Sequence, residues 1–194
     1  MRRVLLLLVC GLAFSPKIRS QEFDNINLGA YADYFRSNQT GTNMAGLGGR
    51  VGFRVFPHVK LEGEVAYDFN QVFTEGFTNT SGGAVFFQNT GTQTLHGLFG
   101  PKLELGHSMF RPFLEVKGGF VNYFFDARNA TVDTFVSSIG NLRAQNMNAA
   151  LMPGGGLEGR LGPVGLRLDV GDEMYFNHGT HHNLKVMFGP FVRF

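Results

Sequence analysis

Apolar and polar residues alternate with a period of two along most of this chain. In its last segment Leu184, Val186, Phe188, Pro190, Val192 and Phe194 are all apolar, while Asn183, Lys185, Met187, Gly189, Phe191 and Arg193 between them are mixed and carry the charges. Side chains alternate across a strand, so the two sets lie on opposite faces of a sheet. The same split recurs over 26–34, 45–55, 59–69, 95–105, 112–120, 149–161 and 164–170. That makes eight predicted strands, each with one face free of charge. Asp172 would put a charge on the apolar face of the seventh, which predicts that this strand leaves the membrane, or bulges, near Gly171.

The links between strands differ in length. Pro57-His58, the segment Gly106 to Met109, and Gly162-Pro163 read as tight turns. The segments 36–44, 70–92, 124–146 and 177–182 read as longer polar loops. Phe73 to Phe87 and Thr131 to Ile139 contain extended-looking pieces that predict hairpin extensions, with an additional strand pair, ten in all, as the alternative.

Short turns alternating with long loops, on strands with one greasy face, are the pattern of a transmembrane barrel. In hydrocarbon every backbone polar group must be satisfied within the protein, so strands span only as a closed barrel. The expected fold is therefore all-β, an eight-stranded antiparallel up-and-down transmembrane β-barrel. The inward face would carry Arg50, Arg54, Lys102, Lys117, Arg160, Arg167 and Lys185 against Asp33, Glu62, Glu64, Asp68, Glu104, Glu115, Glu158 and Asp169. An eight-stranded barrel has an interior that side chains fill. Opposite charges there should pair across the axis and plug it, with Glu62 or Glu64 against Arg50 or Arg54 as the nearest neighbours. Pro101, Pro112, Pro153 and Pro190 fall within these strands, and a closed barrel has no edge to host them. A bend or bulge is expected at Pro153, which precedes Gly154-Gly155-Gly156.

The N-terminus changes the charge and the compartment. Arg2 and Arg3 precede an apolar run, 4–14, that is too short to span a bilayer. With Ser20 ahead of Gln21 this reads as a secretory signal peptide over 1–20, leaving a barrel domain over 21–194. Arg2, Arg3, Lys17 and Arg19 leave with it; 13 basic and 15 acidic residues remain, a formal charge of −2. The apparent basicity thus gives no reason to expect a nucleic-acid partner. The one cysteine, Cys10, also lies there, and Val9 before it is bulky where a lipidation motif wants a small residue. Charged residues are only 16% of the chain, below the quarter or so usual in soluble domains.

These residues resemble the small OmpA-like outer-membrane barrel proteins over 22–194. The resemblance rests on the signal peptide, the hairpin rhythm, and segments such as Gly49-Arg50-Val51-Gly52-Phe53 and Leu61-Glu62-Gly63-Glu64. The ending, with Phe188, Pro190, Val192 and Phe194, is similar to that family's C-terminal assembly signal. The resemblance implies a monomer in the cell outer membrane, with periplasmic termini and extracellular loops. Its partners would be outer-membrane lipids, lipopolysaccharide and, through Phe194, the insertion machinery. No peptidoglycan-binding domain follows the barrel, so cell-wall tethering is not expected.

Candidate chemistry is sparse. His178, His181 and His182 cluster in a polar loop and could hold a metal. His107-Ser108 sits in a predicted turn where adjacent side chains point apart. Gly154-Gly155-Gly156 lacks the helix and Lys-Ser/Thr of a phosphate loop and reads as strand packing. Asn79-Thr80-Ser81 and Asn129-Ala130-Thr131 match glycosylation sequons that Asn/Thr-rich loops produce by chance. No catalytic, cofactor or metal residue is expected. The favoured function is a non-enzymatic scaffold for exposed loops, Phe73, Phe77, Phe86 and Phe87 among them. The alternatives are a lipid A-modifying enzyme, marked by a histidine and an acid or serine meeting at the outer rim, and a narrow solute pore.

Overall fold

The computed structural model describes residues 25–79, 83, 85–106, 108–126 and 135–194. The signal segment 1–20 with Cys10, His107, and both sequons apart from Asn79 lie outside them. The chain runs β1 (Ile26–Ser37), β2 (Thr42–Phe56), β3 (Val59–Asn79), β4 (Val85–Glu104), β5 (Phe110–Phe125), β6 (Phe135–Ser137), α1 (Gly140–Ala144), β7 (Met147–Leu161), β8 (Val164–Phe176) and β9 (Thr180–Arg193). Eight strands are staves of one closed antiparallel barrel, in the order β1-β2-β3-β4-β5-β7-β8-β9 and back to β1. β6 is a short addition paired with the top of β3, through Phe77–Ser137 to Asn79–Phe135. The seam is clamped at its end, where Phe194 N donates to Ile26 O and Phe194 O accepts from Asn25 and Ile26 N.

All eight predicted strands are present. Their apolar sets face out, with Leu28, Leu47, Val65, Phe99, Leu114, Leu166 and Phe188 more than 50% exposed. Their polar sets face in, with Glu62, Asp68, Lys102, Lys117 and Lys185 at 1% or less. This is the inverse of a water-soluble protein and the arrangement that a lipid exterior requires.

The loops expected at 36–44 and 177–182 are shorter than expected, and the hairpin extension expected over Phe73 to Phe87 is present. Strand takes up 36–37, 42–44 and 180–182, leaving 38–41 and 177–179 as connections. Beyond the staves β3 and β4 stay paired as a hairpin extension, from Gln71–Thr92 to Thr78–Val85. A one-residue bulge between Asp68 and Gln71 starts that extension and flips its phase: Asp68 points in, and so do Phe73, Glu75 and Phe77. The bulge explains why the alternation of 59–69 cannot be carried upward. At about 3.3 Å per residue and a tilt near 40°, the 21 residues of β3 rise about 50 Å, twice the ~25 Å apolar band of such barrels.

There is no bulge at Pro153, and none near Gly171. β5 and β7 pair in unbroken register through Val116–Pro153. On the other side the β7–β8 ladder skips Met152 and Pro153 and resumes at Gly154–Gly171 without a shift. Pro101 and Pro190 behave likewise: each is paired on one side, and the ladder on the other skips two residue pairs and keeps register. In an antiparallel strand each N–H points to one neighbour only, so a proline interrupts one ladder and leaves the other whole. β8 continues straight past Gly171 to Phe176.

Inward glycines make room for large side chains. A Cβ on Gly48 would lie 2.3 Å from Tyr31 Cζ, and one on Gly156 2.6 Å from Phe113 Cζ and 2.0 Å from Leu168 O. The triple glycine is thus strand packing. Gly48→Ala is expected to lower unfolding free energy by about 1–3 kcal/mol, because the buried Tyr31 ring must move. Denaturation of refolded protein followed by circular dichroism checks this.

Candidate functional site

Inside the barrel the charges are stacked in layers. Nearest the short turns, Glu104 gathers Arg160 at 2.7 Å, Lys60 at 3.1 Å, Arg111 at 3.6 Å and the half-exposed Arg54 at 3.8 Å. Above it Arg167, on β8, reaches the opposite stave. Its guanidinium lies 2.7 Å from Glu62 of β3, 2.7 Å from Glu115 and 2.5 Å from Asp169. Lys102 pairs with Glu158 and lies 3.1 Å from Glu62; Lys117 lies 2.7 Å from Glu64 and 2.9 Å from Glu115. The Phe113 ring supports the Arg167 guanidinium at 4.2 Å and the Lys102 ammonium at 4.9 Å.

The buried cations of these two layers are Arg50, Lys60, Lys102, Lys117, Arg160 and Arg167. They face six buried carboxylates: Glu62, Glu64, Glu104, Glu115, Glu158 and Asp169. The buried charges of these layers are equal in number, and Arg54 and Arg111 at the rim add two more cations. The predicted plug is present, but not its predicted nearest pair. Arg50 and Glu64 are directly opposite in register, yet Arg50 reaches Asp169 at 2.8 Å and Glu64 receives Lys117. Long side chains in a lumen relieve crowding by spanning the axis instead of folding back on the neighbouring strand.

The next layer differs. His96 lies between two carboxylates, Nδ1 2.6 Å from Glu173 Oε1 and Nε2 2.9 Å from Asp68 Oδ2. Lys185 lies 2.9 Å from Glu173 and 3.3 Å from Asp33. The ligating atoms of Asp33, Asp68 and His96 all fall within 4.8 Å of one another. His96 and Glu173 were not singled out by sequence reasoning. Glu173 lies beyond the expected end of its strand, and His96 was one polar residue among many on an inward face.

Aromatic side chains close the far end. Phe35 packs edge-on to His96 at 4.7 Å, and Tyr123 packs edge-on to Tyr175 at 5.5 Å. Ile139 and Leu142, at the start of and within α1, are buried against them. Asn177 Nδ2 donates to the carbonyls of Asn141 and Gln145, tying α1 to the β8–β9 turn.

The three loop histidines diverge. His178 Nδ1 is 2.9 Å from Asn177 Oδ1, His181 stacks on Tyr175, and His182 Nδ1 is 2.6 Å from Asp172 Oδ2. Asp172 and His182 are diagonal neighbours on the outward face, 45% and 59% exposed, and line a shallow groove with Asn38, Pro153 and Leu184. Their signal in the sequence was the lone charge of Asp172 on an apolar face. Among the described residues no hydroxyl is hydrogen-bonded to the His182 ring. Ser108, of the predicted His107-Ser108 pair, donates to Phe110 O in its turn.

No family model matches the chain, and no curated protein matches its sequence. Solved structures do match. The outer membrane protein OprG of Pseudomonas aeruginosa superposes with a TM-score of 0.55 at 10% identity, over 92% of this chain and 99% of that one. Neisserial surface protein A gives 0.52 at 12%, over 87% and 97%. The N-terminal β-barrel domain of Pseudomonas aeruginosa OprF gives 0.51 at 11%, over 90% and 100%. At these identities the likeness is one of fold.

Proposed function

We propose that the chain is an outer-membrane barrel of the small OmpA-like kind, acting as a non-enzymatic scaffold. In this reading the short turns and both termini face the periplasm. The β3–β4 hairpin, α1 and the β8–β9 turn face the outside, where they serve adhesion, surface binding or membrane integrity beside lipopolysaccharide. The observation that carries it is the closed lumen. Arg167 bridges opposite staves to Glu62, and the aromatic layer under α1 seals the end above. A barrel filled in this way conducts nothing, so its function lies in what it displays. Planar-bilayer recordings on purified, refolded protein should show no steady conductance; stable, reproducible channels would establish the pore instead.

The outward Asp172–His182 pair favours a second reading, a lipid-modifying enzyme, because a histidine oriented by an acid at the bilayer rim is the core of a general base. Lipid A mass spectra from cells with and without the chain separate the two. Unchanged acylation supports the scaffold, whereas a change abolished by His182→Ala supports the enzyme.

A further inference from the structure

We infer that the upper lumen holds a divalent transition-metal cation of the zinc class, on Asp33, Asp68 and His96. Three independent features meet there. The first is charge. The two lower layers set six buried cations, with Arg54 and Arg111 added at the rim, against six carboxylates, whereas the upper layer sets Asp33, Asp68 and Glu173 against Lys185 and His96 alone. With a neutral imidazole this layer is formally two positive charges short. All five side chains are 3% exposed or less, so water does not make up the difference. A divalent cation does. A proton on His96 supplies one charge and leaves one carboxylate unmatched in a medium where that is expensive.

The second feature is unused bonding capacity. Neither carboxylate oxygen of Asp33 accepts a hydrogen bond, and Asp68 Oδ1 accepts none. Both side chains are buried, on β1 and β3, and both aim into the cluster. Buried carboxylate oxygens are normally satisfied; these three accept no hydrogen bond. Lys185 faces Asp33 from β9 at 3.3 Å without completing that satisfaction.

The third is the shape of the histidine site. Zinc binds imidazole nitrogen and carboxylate oxygen at about 2.0–2.2 Å, so two ligand atoms on one tetrahedral ion stand about 3.4 Å apart. His96 Nε2 and Asp68 Oδ2 are hydrogen-bonded at 2.9 Å and would part by about 0.5 Å to take the ion in place of the proton. The other ring nitrogen, Nδ1, is 2.6 Å from Glu173, which Lys185 holds in turn at 2.9 Å. A metal-bound histidine characteristically gives its second N–H to a carboxylate, which fixes the ring and its tautomer. Two carboxylates, one imidazole and a supporting acid suit a borderline cation better than calcium or magnesium, which take oxygen ligands.

The site is closed, so the ion must enter as the barrel forms. Full-length protein is refolded into detergent with Zn2+, or with Co2+ as a spectroscopic probe, and desalted. Folding is verified by heat-modifiable migration. Wild type and His178→Ala should retain about one metal per chain, and the cobalt form should show the intense visible bands of a low-coordinate nitrogen-oxygen site. His96→Gln and Asp33→Asn should lose the metal. Glu173→Gln should retain it with affinity lowered about ten- to hundredfold, since its acid only positions the ring. Wild type desalting to no more metal than His96→Gln, or showing only the hexaaqua cobalt spectrum, would overturn the site in favour of protons. If His96→Gln does not fold, the wild-type cobalt spectrum decides alone. Conductance plays no part in this readout, so it stands or falls separately from the scaffold.

Discussion

Arg167→Met should lower the unfolding free energy of the barrel by about 3–5 kcal/mol, the largest effect expected of any single lumen substitution. The methionine matches much of the side chain's length but removes the charge that faces Glu62, Glu115 and Asp169 at once. Those carboxylates cannot turn to water, since each is 3% exposed or less. The cost is that of stranded anions more than of a lost bond. It follows that Glu62→Gln in the Arg167→Met background should recover part of the loss, and a double-mutant cycle should give a coupling of about 1–3 kcal/mol. The chain contains no tryptophan, so circular dichroism or gel mobility is the readout. A loss below 1 kcal/mol would mean that the lumen is wet enough to screen these charges.

Val65→Arg should lower stability by about 2–4 kcal/mol in phospholipid vesicles, because it places a charge on the outward face near the middle of the apolar band. Val65 is 57% exposed and stands between Gly49 on β2 and Gly97 on β4, so the new side chain has no neighbour to pair with and no clash to relieve. The same substitution on a water-soluble barrel would be nearly neutral. Val65→Leu should leave stability unchanged within about 0.5 kcal/mol. Equal stability of the arginine and leucine variants in vesicles would mean that this face does not meet hydrocarbon.

The staves were legible in the sequence because each must satisfy two solvents at once, and period-two alternation records that demand residue by residue. Above the apolar band the demand vanishes. At 42–44 and 180–182 the backbone still pairs, but nothing requires every second residue to be greasy, so strand reads as loop; over Phe73 to Phe87 the extended pieces were legible and the bulge that shifts their phase was not. The proline effects were misread because edge rules count residues, whereas the ladders show that one proline spoils one side. The ion pairs were hidden for another reason. Adjacent strands can be inferred from a tight turn, as with Arg50 opposite Glu64, but which side chain crosses the axis depends on shear and closure. For the same reason His96, Asp33 and Asp68, from three strands, could not be seen to converge. Asp172 with His182 could have been found, as a charge on an apolar face next to a histidine-bearing hairpin.

The β3–β4 hairpin stands clear of the staves as an already ordered ribbon. Its ladder is complete to Thr78–Val85, β6 is zipped to one edge, and Glu75 accepts from Thr90 and Ser137 within it. Val72, Val85 and Phe87 face outward from this frame at 54–73% exposure. A partner that met them would not have to freeze a floppy loop first, so most of the contact energy would survive as affinity. Point changes along such a ribbon would alter the residence time of anything docked on it far more than the capture rate.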